Sequence, residues 1–99
     1  MRILFERSGG FSGRKIQGSL DSSMLPSSEA RRLSRLIEQA RFFELPPILE
    51  STEPGADRFN YRVTVESEQG RHTVEASEAA VPGPMRPLLD FLTRSVVSR

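Results

Sequence analysis

A chain of 99 residues makes one domain, 1–99, able to bury roughly two thirds of the surface its unfolded form exposes around one two-layer core. Its 14 basic and 13 acidic residues leave a formal charge of +1 with the signs interspersed, which argues against nucleic acid, since that partner needs a concentrated basic footprint. No cysteine is present, so disulfides and thiolate metal sites are excluded and a reduced, cytoplasmic setting is expected.

Met1-Arg2-Ile3-Leu4-Phe5-Glu6 lacks the long apolar stretch of a signal peptide and alternates as a half-buried strand does, with Ile3 and Phe5 on one side and Arg2 and Glu6 on the other. No apolar run approaches bilayer length, so no membrane partner is expected. Arg7 to Gly13 reads Arg-Ser-Gly-Gly-Phe-Ser-Gly, a glycine-rich turn with the lone aromatic Phe11 in its middle. Glycine is retained where the backbone needs positive φ or where another surface comes close, and an aromatic on adaptable backbone has the form of an interface anchor. The other reading is a plain hairpin connection whose Phe11 folds back to cap the core. Ile16, Gly18 and Leu20 alternate with Lys15, Gln17 and Ser19 in a second strand, completing a hairpin.

Pro26 stands where a helix can begin, with Glu29 near the positive end of its dipole, and Ala30, Leu33, Leu36, Ile37 and Ala40 recur at helical spacing. Phe42, Phe43 and Leu45 carry the apolar content on to Pro46-Pro47, which ends any helix. Ile48 to Asp57 shows little periodicity and reads as an exposed connection. Phe59, Tyr61, Val63 and Val65 alternate with Asn60, Arg62, Thr64 and Glu66 in the clearest strand. Ser67 to Gly70 turns the chain, and Val74 and Ala76 continue the inward pattern on a fourth strand. After Pro82-Gly83-Pro84, Met85, Leu88, Leu89, Leu92 and Val96 form a second amphipathic helix, with Pro87 tolerated in its first turn. The expected fold class is α+β: a ββαββα two-layer sandwich, with a four-stranded antiparallel sheet and both helices on one face. Lys15, Gln17, Asn60, Arg62, Thr64, Thr73 and Glu75 make the other face polar enough to stay in water.

Catalytic chemistry finds little to work with. His72 is the single histidine, by strand parity on the side of Val74 and Ala76, and no nucleophile elbow appears, so neither an enzyme nor a bound metal or other cofactor is expected. The glycine loop leads into a strand, whereas a phosphate cradle opens a helix. Glu75 and Glu78 lack neighbouring donors in the sequence and read as solvated. Asp57-Arg58-Phe59-Asn60-Tyr61 is more distinctive; Asp57 can bond nearby backbone N–H groups and Arg58 can pair with a carboxylate.

Met1-Arg2-Ile3, Glu6-Arg7-Ser8-Gly9-Gly10-Phe11-Ser12-Gly13, Leu25-Pro26, Phe42-Phe43-Glu44-Leu45-Pro46, Asp57-Arg58-Phe59-Asn60-Tyr61, His72-Thr73-Val74 and Arg86-Pro87-Leu88, in this order, resemble the emfourin family almost end to end. The resemblance implies a small bacterial cytosolic protein that inhibits a thermolysin-like (M4 class, protealysin-like) zinc metalloprotease. It also implies that a bulky apolar residue such as Phe11 suits the enzyme subsite beside the zinc. The candidate protease-binding residues are Ser8, Gly9, Gly10, Phe11 and Ser12, with Asp57 and Arg58 as neighbours. A rigid two-layer scaffold carrying such a loop limits the entropy lost on binding. A non-inhibitory adaptor docking through the polar sheet face or an edge strand is the competing reading. A monomer is expected, because no large apolar stripe remains once both helices are assigned to the sheet.

Overall fold

Apolar and polar residues alternate along four segments, and pairing those segments gives two antiparallel hairpins lying side by side. In the computed structural model, which describes residues 1–10, 15–50 and 59–97, β1 (Arg2–Gly9) pairs with β2 (Ile16–Asp21), and β4 (Phe59–Ser67) with β5 (Gly70–Ser77). β1 also runs antiparallel to β4 along its length, from Arg2 opposite Glu66 to Gly9 opposite Phe59. The inward residues are those the alternation selects: Ile3, Phe5, Leu20, Val63, Val65, Val74 and Ala76 are all buried.

Two helices cover that face. α1 (Ser27–Gln39) starts after Pro26, whose carbonyl accepts from the Ala30 N–H at 2.9 Å, and it buries Leu33, Leu36 and Ile37. α2 (Arg86–Val97) buries Leu88, Leu89, Leu92 and also Phe91, while Met85 is buried from the single 3-10 turn before it. These side chains join the inward strand residues in one continuous core. Each fully buried Leu or Val contributes about 1.5–3 kcal/mol relative to exposure. Close approach explains one glycine: a Cβ at Gly18 would stand 3.0 Å from Val96 Cγ1, so β2 lets the last turns of α2 settle against its backbone.

The other sheet face is polar, as expected. The Thr64 and Thr73 hydroxyls bond at 2.8 Å, and charges pair as Lys15–Glu6 (2.6 Å), Arg62–Glu75 (3.3 Å) and Arg71–Glu66 (3.5 Å). Exposed pairs of this kind are worth under about 1 kcal/mol each.

Two expectations need correction. The sheet is five-stranded and mixed, in place of four antiparallel strands: β3 (Ile48–Leu49) pairs in parallel with Glu75 and Ala76 of β5, giving the order β2-β1-β4-β5-β3. The expected exposed connection Ile48 to Asp57 therefore begins as a paired strand, and its residues 51–57 lie outside the described residues. The chain bends at Pro47, the Glu75 N–H donates to the Pro47 carbonyl at 2.8 Å, and Leu49 packs on the core while Ile48 stays exposed. In addition, α1 ends at Gln39, well before the double proline. Arg41 adopts a left-handed backbone (φ 51°), and the 3-10 turn Phe42–Glu44 then delivers Phe42 into the core.

Candidate functional site

The strand register decides which loops share an end of the sheet. Gly9, the last residue of β1, lies opposite Phe59, the first residue of β4, and Ser8 lies opposite Asn60. The stem of the glycine loop thus runs beside the point where the chain leaves residue 58. Ser8, Gly9 and Gly10 are placed there; Phe11, Ser12, Asp57 and Arg58 lie outside the described residues.

Phe59 organises this end. Gly9 and Gly10 both have positive φ (84° and 77°), and a Cβ on Gly10 would stand 2.3 Å from Phe59 Cε1, so the ring lies where only glycine leaves room. The Arg7 guanidinium sits 4.3 Å from the ring centroid, a cation–π contact worth about 0.5–2 kcal/mol. Its Nε is buried with no hydrogen-bond partner among the described residues, so the ring is the contact that receives this part of the cation. The Phe59 N–H donates to Glu78 Oε1 at 2.9 Å. Glu78 opens the 3-10 turn after β5, and its own carbonyl accepts from Arg86 Nη2 at 3.5 Å, tying the turn to the start of α2. Tyr61 continues the aromatic row, 6.3 Å from both the Phe59 and Phe5 rings. Burial pushes the Tyr61 hydroxyl above its ordinary pKa, and the Glu78 charge adds to the shift.

Sequence reasoning missed the partner of Glu78 here and that of Glu75 on the open face. Glu78 is not merely solvated: it bonds a backbone N–H 19 residues away, a distance over which sequence gives no signal. Glu75, also read as solvated, is paired with Arg62. Arg7 and Phe59 did carry a signal, since strand parity places both on the helix side, beyond the core residues of their strands.

His72 has a structural place. Its Nε2 lies 2.7 Å from the Leu45 carbonyl, an acceptor, so Nε2–H donates, and the imidazole packs edge-on to Phe42 at 5.6 Å and beside Phe43 at 6.2 Å. Among the described residues no three Asp, Glu, His or Cys side chains gather into a group that could hold a metal ion, and no helix is long and apolar enough to cross a membrane. The site offers shape, an aromatic row and fixed charges.

Residues 5–93 match the family model for emfourin. The chain belongs to the emfourin family. The matched span contains Arg7, Gly10, Phe59 and Glu78. A solved structure titled emfourin (M4in) from Serratia proteamaculans, M4 family peptidase inhibitor, is similar at 21% identity over 90% of this chain and 82% of that one, with a TM-score of 0.44. No curated protein matches the chain.

Proposed function

We propose that this emfourin is a protein inhibitor of a thermolysin-like zinc metalloprotease, binding at or near the active-site cleft of the enzyme. The observation that carries the reading is the family match over nearly the whole chain, residues 5–93. Geometry supports the surface: two loop stems emerge side by side from a sheet whose other side is locked under two helices, and a preorganised scaffold lowers the ordering cost of association. Ser8 to Ser12, with Asp57 and Arg58 beside them, form the protease-facing end, and Phe11 is its apolar anchor. The reading extends to a protealysin-like target, a cytoplasmic setting and a monomeric inhibitor. An inhibitor of this kind needs no catalytic group of its own, and His72 is committed to Leu45. The adaptor reading draws less support, because the charges Glu6, Arg62, Glu66, Arg71 and Glu75 on the open face are paired with one another or with Lys15.

Titration of the protein into a thermolysin-like protease from its own source, with peptide hydrolysis followed, tests the function. Stoichiometric loss of hydrolysis is expected. Full activity at inhibitor concentrations far above the enzyme's, for every thermolysin-like protease of that source, would sink the reading.

A further inference from the structure

Four groups from three stretches of chain, one of them its own strand, converge on one residue. Gly10 comes from the end of the first strand's extension, Arg7 from β1, Tyr61 from within β4 and Glu78 from the turn after β5, and all meet Phe59. Phe59 directly follows residues 51–58, and Gly10 directly precedes residues 11–14. The core does not require this arrangement, since Val63, Val65 and Val74 are fully covered by the helices deeper in the sheet. The residue choices interlock all the same: the ring needs glycine at 10, a cation at 7 suits its face, and its N–H, on the β5 side one position past the last ladder pair Asn60–Ser77, needs an acceptor that the β5 backbone no longer supplies. A carboxylate gives the stronger, charge-assisted form of that bond.

Resting on the inhibitor reading, we propose that Phe59 is a positioning residue, clasped by Gly10, Arg7 and Glu78, which presents the stems of both loops to the protease at one fixed spacing. The clasp acts before binding. It removes alternative stem arrangements from the free inhibitor, so the protease meets the competent one at each encounter, and association is faster for it.

Glu78→Ala, Glu78→Gln and Gly10→Ala test the clasp through two readouts: amide hydrogen exchange in the free protein and the rates of protease inhibition. Losing a charge-assisted bond is worth about tenfold, so Glu78→Ala is expected to weaken inhibition about tenfold, mostly through slower association. Exchange should quicken at Gly9 and Gly10 as well as at Phe59, although only Phe59 loses a bond directly. Glu78→Gln keeps an acceptor at Oε1 and should restore most of both properties. Gly10→Ala pushes the ring from its other side and should produce the same paired signature, which keeps the test open if either Glu78 variant folds poorly. Faster exchange confined to Phe59, or a glutamine variant no better than alanine, would overturn the proposal. Wild-type protein that inhibits no thermolysin-like protease would instead remove the inhibitor reading, and the exchange measurement would still decide whether the clasp exists.

Discussion

The middle of the core, between helices and sheet, and the loop end of the sheet are built on opposite plans. At the middle, Leu33, Val63, Leu88 and Leu92 are each 0% exposed and packed on every side, so each contact has many others behind it. At the loop end, Phe59 is held by one carboxylate, one guanidinium and one missing methyl group. The first plan resists unfolding and is indifferent to what lies outside. The second gives up redundancy for a defined outward geometry, so stability and recognition should respond to different substitutions.

The largest break in that comparison should come from Leu92→Ala. Truncating this covered side chain is expected to cost about 2–5 kcal/mol in denaturant unfolding, while inhibition per folded molecule stays unchanged. A loss below about 0.5 kcal/mol would show that the helix face is not where the stability lies. Phe11→Ala should do the reverse, weakening inhibition by about 2 kcal/mol, on the order of thirtyfold, with almost no movement in melting temperature. A clear fall in melting temperature with a proportionate loss of inhibition would instead make Phe11 a cap on the core.

Arg41→Gly sharpens the contrast from the stabilising side. The left-handed backbone at Arg41 costs an L-residue about 1 kcal/mol that glycine does not incur, and part of the relief is offset by glycine's freedom when unfolded. A net gain of about 0.5 kcal/mol in thermal unfolding is expected, with inhibition untouched; a loss would mean that the Arg41–Glu44 pair at 3.9 Å matters more than its exposure suggests. The smallest effect concerns acid. The Ser23 hydroxyl, and then its N–H, hold the Asp21 carboxyl below its ordinary value of 3.8. A depressed folded-state value means stability that is present above 3.8 and lost as pH falls through the folded value. The gap between wild type and Asp21→Ala in acid titrations should therefore close below that pH, and a gap that persists there would assign it to something other than ionisation.

Much of the fold was legible because long elements repeat their signal. Phe59 to Val65 alternates over enough residues to fix its inward face, and Leu33, Leu36 and Ile37 mark a helical stripe without ambiguity. β3 was not legible, since Ile48 and Leu49 are too few to show any period and their partners lie 27 residues on. The end of α1 was hidden for a different reason: the usual stop signal is glycine, whereas Arg41 makes the same break with a side chain that reads as helix-forming. At the site, the two loops could be singled out by composition, but that they share an end depends on the register between Gly9 and Phe59. Glu78 was beyond reach, because a carboxylate's partner in space leaves no mark on its neighbours in sequence.

The two-residue strand β3 bears on how the molecule behaves among copies of itself. Without it, Glu75 and Ala76 of β5 would also stand on the bare margin of the sheet, a template to which further strands can add. Pro46 and Pro47, lying just ahead of β3, have no N–H to offer a newcomer, while the Pro47 carbonyl is already taken by Glu75. The stretch from Leu45 to Leu49 thus works as a selvedge over the end of that margin, closing these positions to a further strand.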